Sequence, residues 1–574
     1  VFPLGGRYAG GAAVTCVSVE EATRLGADNF RATLAADMEL GAGNVLLRLA
    51  EHGADMDMPR VTFDVDVDGI PAWTPLSLAT LTERVAARAA WFRARGVRRA
   101  DPIAVYVTSA PDVFLNFLAL TWLGAIPALM NGNMPIELAA EFVRRLRAAG
   151  VVVDADHAAL AGHDLGAPIL GDAAQTGAGD PAQAPPHHRH HPQDPVVITH
   201  SSGTTRVPAA IVHSHHGLFA AIRAVRLTES RPYGEVREMS ALPAAHAAGI
   251  ITLNQALCNG YQLLCLSAQG GPFARSAETI LDAIERWRPT GVFGFAVTWS
   301  ELARVDLTTR DLSSVRNWFN TGDCAHESHV RRLVAVGSHP TYTRDGMVDA
   351  PGSKFVDMLG STEMGHGAFR ITHRLGSDRY DRCVGKPYPF AEIALLDVET
   401  GEEVPPGQVG HVGLKSPTLA LGYWNDSVTT YRTRLGGYYL TGDLMYRDEA
   451  GDYHHVDRAS DAVDLGGGTW LYTALSEERV LKHCPDVRDC TVVAAAGEDG
   501  TTVTDVLLLL AEDADPARDR TDRVRAALGP AVAATLRRVV TVPDDDVVMG
   551  PTGKVRKFLM RQRLLSGAAA PGAG

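Results

Sequence analysis

Apolar positions along the chain follow two alternating periods. From Leu76 to Arg95 they recur at helical spacing, with Leu78, Leu81, Val85, Ala89 and Phe92 on one face, which predicts an amphipathic helix. Val61–Val67, VTFDVDV, alternates apolar and acidic residues, the period of a half-exposed strand. Ile103–Val107 reads as a short buried strand. Val113–Ile136 carries no charge over a membrane-like length, but Asn116, Gly124, Pro127, Asn131, Gly132, Asn133 and Pro135 interrupt it. A helix ending near Gly124, followed by a short strand, fits that run better than a membrane span. Val196-Val197-Ile198 stops at Ser201-Ser202-Gly203-Thr204-Thr205, as a strand does when it feeds a tight loop. Strand and helix in repeated succession predict an α/β fold with parallel strands.

Residues 152–195 break this rhythm. Their Ala, Gly, Pro and His content reads as a flexible surface loop. Within it His187, His188, His190 and His191 raise a metal hypothesis, but a mobile, Pro-flanked segment lacks fixed ligand geometry, and a solvated loop is expected. Further on, Val292–Phe295 is strand-like, and Val356–Phe369 places Gly360, Ser361, Thr362 and Glu363 just past an apolar run. Ligands bind beyond strand ends in open α/β sheets. From Gly385 to Tyr423 a small antiparallel region is expected. Gly466-Gly467-Gly468 reads as a domain boundary in preference to a strained turn, because a compact α+β pattern restarts after it. The expected architecture is α/β. A large N-terminal domain, 1–459, has parallel-rich sheets, helices and a small β region. A smaller, mobile α+β C-terminal domain, 460–574, ends in a disordered tail.

Composition narrows the class. The chain has 574 residues, 46% hydrophobic and 21% charged, ample for a globular core. A net charge of -13 and a pI of about 5.9 argue against a nucleic-acid binder with a broad basic surface. Seven scattered cysteines without a CxxC pair suit a reduced, cytoplasmic protein. No secretory signal and no membrane span are expected. Neither a GxSxG elbow nor a Walker-type loop occurs.

Four hydroxyls and a glycine in Ser201–Thr205 supply small donors and exposed backbone N–H groups, the chemistry that cradles a polyphosphate. Four later stretches follow in fixed order: LGSTE at 359–363, YYLTGDL at 438–444, DRASDAVDLGGG at 457–468 and PTGKVRK at 551–557. Together with SSGTTRVPAA they resemble the motifs of the adenylate-forming superfamily. That superfamily comprises acyl-CoA synthetases, nonribosomal peptide adenylation domains and luciferases. Residues 103–133 look most like the fatty-acid-transport type.

The resemblance implies an AMP-forming ligase that uses ATP and Mg²⁺. Such an enzyme activates a small-molecule acid with release of pyrophosphate and passes it to an acceptor thiol or amine, foremost CoA. Charge builds on the α-phosphoryl group, so electrostatic stabilisation is the main need. By resemblance, Ser201, Ser202, Gly203, Thr204 and Thr205 hold the β- and γ-phosphates. Thr362 contacts the α-phosphate, and Glu363 binds Mg²⁺, which a hard carboxylate suits. Asp443 accepts from both ribose hydroxyls, with Arg458 beside it. Gly322, Leu359, Gly360 and Ser361 complete the nucleotide site. Lys554 stabilises the pentavalent phosphorus, Ser460 is the hinge, and His246, Phe295 and Trp299 line the acid pocket.

Several positions depart from the family pattern. Arg206 and Ala209 stand where glycine and lysine are usual, so positive charge returns with another geometry. Leu359 replaces the aromatic that stacks on adenine, and Asp464 replaces a lysine of the hinge motif. Adenylation residues are mostly present, while the surface that receives the pantetheine thiol is the most altered. Three other readings stay open. One is a diazotase-type enzyme that adenylates nitrite and transfers it to an aryl amine. The second is a non-catalytic nucleotide-binding homologue. The third is an amidase built on Ser201-Ser202-Gly203, which lacks a partnered lysine.

Overall fold

The computed structural model describes residues 17–201, 207–232, 234–267, 276–344, 346–496, 501–543, 547, 557, 559–560 and 562. The fold is mixed α/β, as the alternating periods predict. The helix expected at Leu76–Arg95 runs Leu78–Ala94. The Ser77 hydroxyl caps it by accepting from the Thr80 N–H at 3.2 Å, which satisfies one of the free donors of the first turn. The uncharged run resolves into a helix, Ala110–Trp122, and a fully buried strand, Ile126–Asn131. No helix among the described residues is long and apolar enough to cross a membrane.

A seven-stranded sheet holds five parallel strands in the order Pro195–His200, Ile126–Asn131, Pro102–Val107, Gly150–Val153 and Ile169–Asp172. Ala210–Ser214 pairs antiparallel with Pro195–His200, so the strands on either side of the motif stretch are neighbours on this sheet. Ser201 closes the loop's base: its N–H donates to Ala209 O, and its Oγ accepts from the Ala209 N–H, both at 3.0 Å.

The second sheet has fourteen strands. Its parallel run goes from Pro59–Phe63 through Gln262–Cys265, Arg237–Ser240, Gly291–Gly294 and Asn317–Gly322 to Lys354–Leu359. The antiparallel strands beyond it include Glu392–Leu396 and Gly410–Lys415, in the region expected to be β, and Tyr438–Arg447 and Tyr453–Arg458 after it. The carboxyl ends of Arg237–Ser240, Gly291–Gly294, Asn317–Gly322 and Lys354–Leu359 lie side by side, and the residues that follow them open one cavity.

The chain beyond Thr473 has its own apolar core. Helix Thr473–His483 packs against a three-stranded sheet, Val487–Ala496, Thr502–Leu510 and Leu536–Thr541. Two expectations gain detail here. Gly466–Gly468 forms a hairpin turn between Val463–Gly466 and Thr469–Leu471, with φ of 63° at Gly467 and 78° at Gly468. Two consecutive central residues with positive φ are what a tight hairpin turn demands, and glycine adopts them without strain. The histidine segment is a loop, as expected, but three of its four histidines are half-buried while His191 is exposed. His187 packs on Trp122 with ring centroids 4.9 Å apart, and His190 stacks on His215 at 4.7 Å. Burial holds His190 neutral, its pKa pushed down to about 4.

Candidate active site

The cavity has a volume of about 630 Å³ and lies where the strand ends meet the C-terminal segment. Its outer end is polar. Thr362 and Glu363 follow the strand Lys354–Leu359, and Gly360 makes the turn between them. A Cβ at Gly360 would sit 2.8 Å from Gly367 Cα, so only glycine lets the two backbones approach. His246 reaches the same point from the other wall as the N-cap of helix Ala247–Asn259. Its Nδ1 accepts from the Ala248 N–H at 3.1 Å, so Nε2 carries the proton and donates to Thr362 Oγ1 at 3.2 Å. Phe295 lines the cavity edge-on to His246, with centroids 5.0 Å apart. Glu363 Oε1 accepts from the Tyr423 hydroxyl at 3.2 Å. A single carboxylate of this kind suits Mg²⁺, a hard cation that completes its shell with other oxygens and water.

Asp443 is buried behind this end. The Asp443 Oδ1 atom meets Arg458 Nε at 3.1 Å and His455 Nε2 at 3.2 Å. Arg382 fixes the tautomer of His455: its Nη2 donates to His455 Nδ1 at 2.8 Å, which leaves Nε2–H to donate to Asp443. Burial alone would raise the Asp443 pKa. The Arg458 charge and the His455 hydrogen bond overcome that and hold it down at about 2, so the carboxylate stays ionised. Arg458 lines the cavity itself.

The rim is closed by the C-terminal segment. Lys557 Nζ pairs with Glu477 Oε1 and donates to Thr473 Oγ1, both at 2.8 Å. Glu478 accepts from His326 Nδ1 at 2.6 Å, and Ser300 Oγ donates to Asp489 Oδ2 at 2.6 Å. Ser460 and Gly322 also line the cavity.

Of the residues singled out in the sequence, Ser201, His246, Phe295, Gly322, Gly360, Ser361, Thr362, Glu363, Arg458 and Ser460 share this one cavity. Leu359 lies outside it, packed in the core that contains Phe369 and Leu395. Trp299 also lies outside. It is fully buried, 5.9 Å from Trp318 and 5.7 Å from Phe355 by ring centroid, and its indole N–H donates to Asn320 at 2.8 Å. An indole N–H satisfied inside the core marks a structural side chain. Ser202, Gly203, Thr204, Thr205, Arg206 and Lys554 fall outside the described residues. Sequence reasoning missed Arg226, Gln255, His366, Arg382 and Lys557. Lys557 closes the PTGKVRK motif, a signal that was available; the others follow no local pattern.

One further cluster could hold a metal. Ligand atoms of His188, His190 and Asp194 lie within 4.8 Å of one another, away from the cavity.

Residues 54–424 match the family model described as AMP-binding enzyme. A 3-aminoavenalumate diazotase from a Streptomyces species is 43% identical over 93% of this chain and 97% of its own. An anthranilate–CoA ligase from Pseudomonas aeruginosa is 26% identical over 70% of this chain and 74% of its own. Among solved structures, the anthranilate CoA ligase AuaEII in complex with anthranoyl-AMP superposes with a TM-score of 0.79 at 20% identity. The match covers 93% of this chain and 99% of that one, and it establishes the shared fold.

Proposed function

The chain belongs to the AMP-binding enzyme family of adenylate-forming ligases, and on that premise we propose that it adenylates nitrite and transfers the nitrosyl group to an aryl amine. The observation that carries this reading is the 43% identity to a diazotase over nearly the whole of both chains; the CoA-ligase relative matches at 26% over less of each. The altered hinge motif, with Asp464 in place of a lysine, agrees with an acceptor other than the CoA thiol that the motif order puts foremost.

In this reading a nitrite oxygen attacks the α-phosphorus of ATP and pyrophosphate leaves, giving a nitrous–AMP mixed anhydride. The amine nitrogen then attacks the nitrosyl nitrogen. The N–O bond breaks with its electrons going to AMP, and the amine loses a proton. The N-nitroso amine tautomerises to a diazotic acid, and loss of hydroxide leaves the diazonium ion. Ser201 to Thr205 hold the outer phosphates, and Thr362, oriented by the His246 N–H, meets the α-phosphate. Asp443 and Arg458 take the ribose, with Gly322, Gly360 and Ser361 against the nucleotide. Lys554, carried by a C-terminal unit that pivots near Ser460, stabilises the charge on phosphorus. Glu363 would hold Mg²⁺, which would supply positive charge facing the phosphates.

Isotope exchange between pyrophosphate and ATP tests the first half-reaction. Exchange should depend on nitrite and stay at background with aryl carboxylates. Exchange driven by carboxylates alone would return the enzyme to the acyl-CoA ligases. Nucleotide binding without exchange from either acid would make it a binding protein.

A further inference from the structure

The cavity extends well past the nucleotide end. Helix Ala247–Asn259 forms one wall along its length, through Ala247, Ala248, Ile251, Thr252 and Gln255. Those spacings keep to one helical face. At 1.5 Å per residue, the wall runs about 12 Å inward from the point where His246 touches Thr362. Such a depth accommodates an aromatic ring with a substituent on its far side.

Arg226 marks this inner end. It closes the π-helical segment Ile222–Arg226, which packs against the same helix, and its side chain is 13% exposed. Its contacts are poor for a buried guanidinium. Nη1 reaches Glu229 at 3.4 Å, Nη2 meets only the Met358 sulfur at 3.7 Å, and Nε is buried without a hydrogen-bond partner. Glu229 is itself 42% exposed, and its other oxygen pairs with Arg370 at 3.2 Å.

Burial pushes the Arg226 pKa down, but the nearby Tyr388, Glu229, Glu238 and Tyr261 outweigh it and keep the guanidinium charged without completing its hydrogen bonds. His366 lines the cavity and donates its Nδ1–H to Gly367 O at 2.9 Å; burial lowers its pKa to about 4, so it is neutral. Glu238 lies beneath Gln255, which donates to it at 3.3 Å. Burial lifts its carboxyl to about 7 against the pull of Gln255 and Arg226, so it is substantially protonated at neutral pH. A buried cation with weak partners is costly to keep unless something completes its shell. A guanidinium fork matches a carboxylate in shape and charge.

We propose that Arg226 forms a subsite for a carboxylate on the substrate, so that an amino aryl acid enters with its amine toward Thr362 and its acid group at the inner end. The proposal rests on the aryl-amine reading above and adds to it that the substrate's own carboxylate is a handle and is never activated.

The test compares 3-aminocinnamate with its methyl ester on the full-length enzyme with ATP, Mg²⁺ and nitrite. For the wild type, kcat/KM should favour the acid at least tenfold, with the difference in KM. In Arg226→Met that acid-to-ester ratio should collapse at least tenfold, and Arg226→Lys should recover part of it. Equal use of acid and ester by the wild type, or an unchanged ratio in Arg226→Met, overturns the subsite while leaving the amine reading intact. Calorimetric binding of the acid and the ester to the AMP-loaded proteins gives the same ratio without chemistry. It therefore decides the subsite even if nitrite-dependent turnover fails and the amine reading falls. Thermal melting of Arg226→Met confirms that the comparison is made on folded protein.

Discussion

The two ends of the cavity solve opposite problems. At the end proposed for the nucleotide, Asp443 is fully answered: it meets Arg458 and His455, and Arg382 sets the tautomer of that histidine. At the inner end Arg226 is weakly answered, by a thioether at 3.7 Å and by a carboxylate at 3.4 Å that it shares with Arg370, with the buried Glu238 close by. A satisfied network is preorganised and needs only to receive a nucleotide. An under-satisfied cation is a demand that a substrate can meet. The first arrangement speaks for the class of reaction, and the second for the molecule that undergoes it.

The largest effects should come from the outer end. Lys554→Ala should cut nitrite-dependent pyrophosphate exchange about 10²- to 10³-fold, the usual cost of removing a donor to developing charge. Unchanged exchange would remove Lys554 from the reaction. Asp443→Asn should raise the KM for ATP about tenfold through loss of a charge-assisted hydrogen bond. It should also change acid stability. Because the Asp443 pKa is lower in the folded protein than the ordinary 3.8, its contribution is whole above about pH 4. As the pH falls through about 2 it is lost, some 2 kcal/mol in all. An acid-unfolding series should show a shallower acid limb for Asp443→Asn than for the wild type. Coincident limbs would mean that the Arg458 and His455 contacts do not persist in solution.

The reading of the sequence succeeded where chemistry is local and stopped where it is assembled. Thr362 and Glu363 follow an apolar run at a strand end, and Ser201 follows another, so pattern alone singled them out, and all three line one cavity. Arg382 reaches His455 across 73 residues of sequence, and Arg226 gains meaning only from Met358, 132 residues away. No periodicity encodes such pairings. The histidine segment is the loop its composition indicates, but composition could not show that the Trp122 ring and His215 give it a surface to pack on. Trp299 failed, since an aromatic near the pocket in sequence turned inward to bond Asn320.

That last case separates wall from core by experiment. Trp299→Phe should lower the melting temperature, with about 1–3 kcal/mol lost from the stranded Asn320 oxygen. The KM for the amine should not move. A shifted KM without a change in melting would put Trp299 back in the pocket.

The smallest effect belongs to Glu238. Its carboxyl is raised to about 7 in the fold, so rising pH charges it beside Arg226 and weakens anion binding there. The KM for an amino aryl acid should rise about threefold between roughly pH 6.5 and 8.5, and Glu238→Gln should flatten that rise. A rise that survives in the variant would point to another group.

The most direct test offers the enzyme every choice at once: ATP, Mg²⁺, CoA, 3-aminocinnamate and ¹⁵N-labelled nitrite in one reaction, with products resolved by mass spectrometry after coupling to a phenol. The account predicts an azo product carrying the ¹⁵N label, one AMP per coupled product, and no CoA thioester. A 3-aminocinnamoyl-CoA thioester formed without nitrite would contradict it.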